Sequence, residues 1–459
     1  MKEIIVVIGK NFGDEGKGQT VNDLCRTGNA LVVRHNGGAQ AGHTVEEGDF
    51  RFVFHQLGSG SYRGCPTFWA RSFLPDLLKL GEEMEALAAF SPITHVHASP
   101  DCACTTVYDV LLNSLTETLR GSQKHGSCGM GIFEAVLRGR KEPFRLTLGE
   151  LMDRDAPYLL QRLHRIREQY AKPRLENLRR QFPEQFGRKE IIGWADLICD
   201  DQVLFNATGI MWDNLRKYVI PNNFSRLAAQ YDRIIFESAQ GLMLDWENEE
   251  YSPHLTASHT GLKNVAALLQ ELPRPYSLDV IYVTRAYVTR HGAGRLDHEC
   301  PGAEINPQIR DATNVPNPWQ DALRYARHPR GEDFFRYIRR DLAWLDASRD
   351  VLQASAETNA SCHIPQVPAK TDASRDVLQA SAETNAFADI HKGSWPVIPA
   401  NPQNRSGYPA VRTVLRLTHL DETRGMVIFA DGDMNLEEFR AFCGRHAPEL
   451  IIEEYWRKE

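Results

Sequence analysis

Residues 9–22, Gly-Lys-Asn-Phe-Gly-Asp-Glu-Gly-Lys-Gly-Gln-Thr-Val-Asn, restrict what this chain can fold into more than any other stretch. Ile4–Ile8 before it is short, apolar and β-branched, which predicts a buried strand. Gly9, Gly13, Gly16 and Gly18 then free the backbone to turn and approach a ligand closely. From Lys17 the pattern turns helical, with Val21 and Leu24 on one face. Strand, glycine loop and helix together aim backbone N–H groups and a helix N-terminus at an anion such as phosphate. Lys17 adds a positive charge. Asp14 is repelled by phosphates unless it holds a metal or takes a proton. The spacing is not that of the common P-loop, which has four residues between its first glycine and Gly-Lys; Gly9 and Gly16 are separated by six. Taken alone, the loop is equally a tight strand-to-helix turn.

A second stretch repeats the arrangement. Leu31-Val-Val-Arg-His-Asn-Gly-Gly-Ala-Gln-Ala-Gly-His-Thr-Val45 is another strand running into a glycine loop that ends in Gly42-His43-Thr44. Strands and helices continue to alternate. Phe52–Gln56 and Thr94–His97 read as strands, and Leu74–Phe90 and Thr106–Leu119 as helices. Residues 146–190 read as a helical insertion, with a helix from Leu151 to Phe182 broken near Pro173. Strands return at Arg233–Glu237, Val280–Val283 and Leu415–Leu420. This predicts an α/β fold, a large mostly parallel sheet flanked by helices, with a P-loop-like glycine loop and helical insertions. Both glycine loops follow strands, so they can share one crevice at the carboxyl ends of those strands. The whole chain, 1–459, reads as one domain. Residues 346–386 hold a duplication: Asp346–Ala360 and Asp372–Ala386 are identical, which is a local copy and not a solenoid.

Composition narrows the function classes. A net charge of −7 argues against sequence-independent nucleic-acid binding. No apolar run reaches membrane-spanning length, and the apolar run at the N-terminus is too short for a secretory signal. Nine scattered cysteines in a chain this long imply reduced thiols and a cytoplasmic location. His95, His97, Cys102 and Cys104 are zinc-type residues, but not at the spacing of a common zinc site. Alternation at 95 and 97 is also what a strand produces.

The two glycine stretches together resemble the signatures of the adenylosuccinate synthetase family, G-D-E-G-K-G at Gly13–Gly18 and V-V-R-x-x-G-G-x-x-A-G-H-T at Val32–Thr44. The resemblance implies a Mg2+-dependent ligase that uses GTP to join L-aspartate to C6 of inosine monophosphate, in a homodimeric enzyme with small-molecule substrates. The 6-oxygen is a poor leaving group and must first be phosphorylated. That requires a base for the N1 proton, charge neutralisation on the phosphoryl group and a donor at the bridging oxygen. The resemblance assigns the base and a metal ligand to Asp14, the catalytic histidine to His43, and a metal-binding carbonyl to Gly42. Gly13, Glu15, Gly16, Lys17 and Gly18 would hold the donor's phosphates, with Thr44 and Asp421 also on the GTP side. On the substrate side it implies Asn36, then Ser127 and Cys128 in Gly126-Ser-Cys-Gly-Met-Gly131. Arg138 stands nearest to an arginine that reaches a partner subunit. Gln240, Thr256, Arg290 and Thr313 complete the set. The residue types alone also allow an N-cap at Asp14 and a buried, satisfied histidine at His43.

The C-terminal third departs from the family pattern. The arginine-rich run that binds the aspartate carboxylates is absent around Ile309–Gln320; Arg310, Arg324 and Arg327 are the nearby arginines. The guanine-contacting T-K-L-D reads Thr418-His-Leu-Asp421. These departures leave two rivals open: the same C6-activating chemistry on another purine nucleotide or amine, or a nucleotide-binding protein without catalysis.

Overall fold

A computed structural model describes residues 1–27, 29–121, 126–309, 322–358 and 411–456, with side chains as far as residue 345 in the helix Glu332–Thr358. The strands in chain order are β1 (Lys2–Gly9), β2 (Ala30–Arg34), β3 (His43–Glu47), β4 (Phe50–Phe54), β5 (Thr67–Trp69), β6 (Val96–Ala98) and β7 (Val219–Pro221). They continue as β8 (Arg233–Gly241), β9 (Tyr276–Arg285), β10 (Val288–Arg290), β11 (Glu299–Cys300), β12 (Arg324–Ala326), β13 (Val411–Thr418) and β14 (Leu450–Glu454). Nine of them form one sheet, in the order β14-β13-β9-β1-β8-β2-β5-β6-β7. Every pairing within it is parallel. The expected large parallel sheet is therefore present.

β1 lies between β8 and β9, buried on both faces, and its alternation sets the layers. Ile4, Val6 and Ile8 point into a core shared with Leu262 and Val265 of the helix Leu262–Leu269 and with Phe334 and Ile338. Ile5 and Val7 point the other way, against Val21 and Cys25 at the end of the first helix, Lys17–Leu24. Because the sheet is parallel, the ends of β1, β2, β8, β9 and β13 all open on one edge. The loops that leave them build the site.

β6 and β7 are neighbours in the sheet, yet the chain between them is almost wholly helical and has its own core of Leu112, Leu115, Leu159, Leu163, Ile198 and Leu215, among others. The helical segment thus runs on to Tyr218, beyond the expected limit at residue 190. Pro173 does not break it. Residues Arg167–Ala171 widen into a π-helical turn, and the helix resumes as Lys172–Gln181. The wider turn lies over Gln169, four residues back, where the proline ring would meet a carbonyl.

The helix expected from Leu74 starts only at Leu80. Leu74 is held extended, its N–H on Gly37 O at 2.9 Å, and Asp76 Oδ1 accepts from Leu78 N at 2.8 Å in a turn. Cys102 and Cys104 bury their thiols against the carbonyls of Phe73 and Leu146, and the rings of His95 and His97 pack edge to face. The second copy of the duplicated segment, Asp372–Ala386, lies outside the described residues.

Candidate active site

The glycine loop between β1 and the helix Lys17–Leu24 folds around an internal carboxylate. Glu15 Oε1 accepts from Asn11 N at 2.8 Å and from Gly13 N at 3.2 Å. Its Oε2 lies 3.7 Å from Lys17 Nζ, which donates to Gly13 O at 2.5 Å. Burial pushes the Glu15 carboxyl up and the Lys17 ammonium down, and each charge partly offsets the shift of the other. Glu15 therefore braces the loop from within, taking the Asn11 amide and the Gly13 amide, the latter one of those expected to face phosphate. Gly13 has φ of 120°, and a Cβ there would stand 2.8 Å from Gln240 Cα. Only glycine lets β8's loop close on this one. A Cβ on Gly18 would stand 2.9 Å from His43 Cβ, so the two glycine motifs touch.

His43 opens β3 and is buried. Its Nδ1 lies 2.6 Å from Glu237 Oε1, in the middle of β8 and opposite Arg34 at the end of β2. Ser59 holds the same carboxylate through its N–H at 2.9 Å and its hydroxyl at 2.5 Å. Burial lowers the His43 imidazole to about 4, although the Glu237 charge pulls the other way. Burial alone would raise the Glu237 carboxyl, but His43, Arg34 and Ser59 outweigh it and hold it at about 2. At neutral pH the pair is a neutral imidazole donating Nδ1–H to a carboxylate. That fixes the tautomer and leaves Nε2 as the ring's working atom.

Asp14 sits in the glycine loop with its carboxylate partly exposed. Arg285, at the end of β9, donates to its main-chain oxygen. The His291 imidazole stands beside the carboxylate, with Nε2 4.0 Å from Asp14 Oδ2. Several buried polar atoms nearby lack any protein partner: both amide atoms of Gln40, Oε1 of Gln240, the hydroxyl of Thr44 and both ring nitrogens of His291. Buried polar groups are normally paired, so a cluster of orphans at the carboxyl edge of a parallel sheet marks a ligand's place.

The remaining sequence-derived residues divide. Gln240, at φ of 63°, is held in a left-handed turn over Gly13. Ser127 accepts from Asn113 Nδ2 at 3.0 Å, in the glycine loop that leads into the helix Ile132–Gly139. Burial raises the Cys128 thiol to about 11. Gly42 leads directly into His43, and Thr256 is half-buried, its N–H on Leu244 O at 2.9 Å. Asp421 is exposed at the start of a turn after β13. His419, two residues before it, is half-buried beside Gly16, its imidazole pushed well below the usual range by desolvation and by Arg285. Thr313 and Arg310 lie outside the described residues.

Three of the expected residues already have partners within the chain. The Asn36 amide clasps Ala239, giving Nδ2–H to O at 3.0 Å and accepting from N at 2.8 Å, and so ties β2's loop to β8. Arg138 is engaged within its own chain. It is buried, fork-bonded to Asp109 at 2.9 Å and hydrogen-bonded to the carbonyls of Cys104 and Phe144. Arg290 is a clamp rather than a free cation: it spans the rings of Phe12 and Tyr251 at 4.6 and 5.7 Å and donates to the carbonyls of Arg295 and His254.

Sequence reasoning missed Glu237, Ser59, Gln40, Arg285 and His291. Glu237 had a legible signal, since a lone carboxylate in the apolar run Ile234–Phe236 must find a partner once buried. Among the described residues, Asp245, Glu247 and His259 also stand close enough to share a cation, but Lys263 already pairs with Glu247.

Comparison with known proteins decides what this site belongs to. A family model described as adenylosuccinate synthetase matches residues 6–323. The chain belongs to the adenylosuccinate synthetase family. An adenylosuccinate synthetase of Aliivibrio fischeri is 31% identical over 302 residues, 64% of each chain. One from Azotobacter vinelandii is 31% identical over 306 residues, 65% of this chain and 66% of its own. The chain thus matches a little under two thirds of the length of these relatives. A solved adenylosuccinate synthetase of Plasmodium falciparum, described as fully ligated, aligns with a TM-score of 0.49 at 20% identity, covering 71% of this chain and 72% of its own. The family match ends at residue 323, within the part of the chain where the family's arginine-rich run is missing. Among the described residues, no helix is long and apolar enough to cross a membrane.

Proposed function

We propose that the protein is a purine-nucleotide ligase of the adenylosuccinate synthetase type, joining L-aspartate to C6 of inosine monophosphate with GTP as phosphoryl donor. The observation that carries this reading is the His43–Glu237–Ser59 chain beside the glycine loop. A protein that only binds nucleotide has no need of a buried imidazole held in one tautomer by an ionised carboxylate.

The chemistry follows from the residues. Asp14 takes the N1 proton, and the 6-oxygen becomes nucleophilic. The 6-oxygen attacks the γ-phosphorus, and the bond to the nucleoside diphosphate breaks. With Nδ1–H on Glu237, His43 presents the Nε2 lone pair, and a proton taken up there from solvent makes the imidazolium that Glu237 stabilises beside the growing charge. The amine then attacks C6, and the 6-oxygen leaves as phosphate. Main-chain N–H groups at the start of the helix Lys17–Leu24 face the donor's phosphates.

Mg2+ fits the donor set. The Asp14 carboxylate has no hydrogen bond among the described residues, and Lys17 is already paired with Glu15, so a polyphosphate lacks a full counter-charge in the loop. Asp14 and the Gly42 carbonyl would hold the ion, which supplies charge neutralisation during phosphoryl transfer. Homodimer formation and a cytoplasmic location belong to the same reading.

The amine is where a second reading gains support. Two of the arginines nearest the missing run are engaged: Arg324 with Glu299 at 2.5 Å and Arg327 with Asp433 at 3.2 Å. Such pairing favours an amine with fewer carboxylates than aspartate, or a related 6-oxopurine nucleotide. The test is phosphate release from GTP and Mg2+ with inosine monophosphate, with and without aspartate, while following purine absorbance. Aspartate-dependent release with a spectral shift supports the first reading. Release that depends on another amine supports the second, and no release with any amine contradicts both.

A further inference from the structure

We infer that His291 reads the edge of the purine base that runs from N1 to the sugar, as a specificity-determining residue, donating a hydrogen bond to purine N3. The inference rests on the reading above, in which N1 faces Asp14.

His291 follows β10 directly and is fixed on both sides. Before it, Arg290 is clamped between Phe12 and Tyr251. After it, Gly292 packs against the loop that leads into the helix Ile132–Gly139: a Cβ on Gly126 would lie 3.0 Å from Gly292 Cα. The imidazole is therefore carried on a pinned backbone. Its Nε2 lies 4.0 Å from Asp14 Oδ2, and neither ring nitrogen, though both are buried, has a hydrogen-bond partner. A histidine kept only for packing would have its nitrogens paired, because each buried orphan costs free energy.

Where this imidazole stands relative to a nucleotide follows from its two neighbours. A 5′-nucleotide places its phosphate and the N1 edge of its base at opposite ends. The loop 126–131, glycine-rich and capping a helix, suits the phosphate end. Asp14 marks the N1 end. His291 touches the first through Gly292 and the second through its own ring, so it lies along the side that joins them. With the 6-oxygen turned toward His43, the edge assigned to His291 is the other one, C2–N3, where N3 is a bare acceptor. An imidazole N–H is its natural complement. The same N–H opposes a group added at C2, which gives the site a means of choosing among 6-oxopurines.

The experiment measures kcat and KM for inosine monophosphate and its 3-deaza analogue, in which N3 is replaced by C–H, using the full chain and its His291→Val and His291→Gln variants. The wild type is expected to prefer the natural nucleotide by about 5- to 30-fold in kcat/KM, the size of one lost hydrogen bond. His291→Val should lose a similar factor on the natural nucleotide, mainly through KM, and discriminate no longer. His291→Gln, which keeps an N–H at similar reach, should recover part of both. Unchanged discrimination in His291→Val, or no discrimination in the wild type, overturns the assignment. If the wild type turns over neither nucleotide, the proposed reaction fails, and equilibrium binding of the same two nucleotides decides the role of His291 by the same comparison. Equal affinities in wild type and His291→Val overturn it.

Discussion

Glu237 Oε1 and His43 Nδ1 lie 2.6 Å apart although 194 residues separate them in sequence. The contact forms because β8 and the loop after β2 leave the same edge of the sheet, where β2 and β8 are paired. It converts a buried histidine, which is commonplace, into one with a defined tautomer, which is chemically useful.

Glu237→Gln should leave the fold intact and lower kcat by about 10²-fold, with the KM for nucleotide little changed. The amide cannot satisfy His43 Nδ1–H and Ser59 N–H together as the carboxylate does. Steady-state kinetics beside a thermal melt checks this. A rise in KM with kcat unchanged and no loss of stability would point to a role in substrate binding instead.

Asp14→Asn should abolish turnover and leave nucleotide binding nearly intact, because the amide cannot remove a proton. Calorimetric binding of the purine nucleotide, set against turnover, separates the two effects. Unchanged turnover would dismiss Asp14 as the base.

Arg138→Met should destabilise the protein by about 3–5 kcal/mol, the usual result of stranding one buried charge. Asp109 and two carbonyls would lose their donor together. Urea unfolding measures the loss, which should not depend on protein concentration. A strong concentration dependence would restore Arg138 to a subunit interface.

Asp341 predicts a pH effect on stability. Burial raises its carboxyl to about 7, despite hydrogen bonds from Leu262 N and Tyr282 Oη. The folded value lies above the unfolded one, so the folded state binds the extra proton. Stability from this group is complete below the unfolded carboxyl range, about 4, and is lost as pH rises through about 7. Asp341→Asn should flatten that part of the profile, as melting temperatures from pH 5 to 8.5 would show. An unchanged slope would mean that other groups set it.

What could be read from sequence was local. Strand, glycine loop and helix are adjacent in the chain, and Asp14, Lys17 and His43 fall where their motifs predict. The apolar alternation of β1, β8 and β9 also announced a buried sheet. The rest depends on partners far away in sequence. The clasp of Asn36 on Ala239 joins residues 203 apart in sequence. Arg138 and its acid, Asp109, belong to different helices. The start of the helix at Leu80 was hidden because Leu74 pairs with Gly37, a contact that no helical periodicity contains.

The central claim, that the 6-oxygen is phosphorylated and leaves, is tested most directly by an isotope. Inosine monophosphate labelled with 18O at C6 would be turned over with GTP, Mg2+ and the accepted amine, and the released phosphate analysed by mass spectrometry. The account predicts one 18O in each phosphate released with product. Product formation with unlabelled phosphate would contradict it, since the oxygen would then have left C6 without ever being joined to phosphorus.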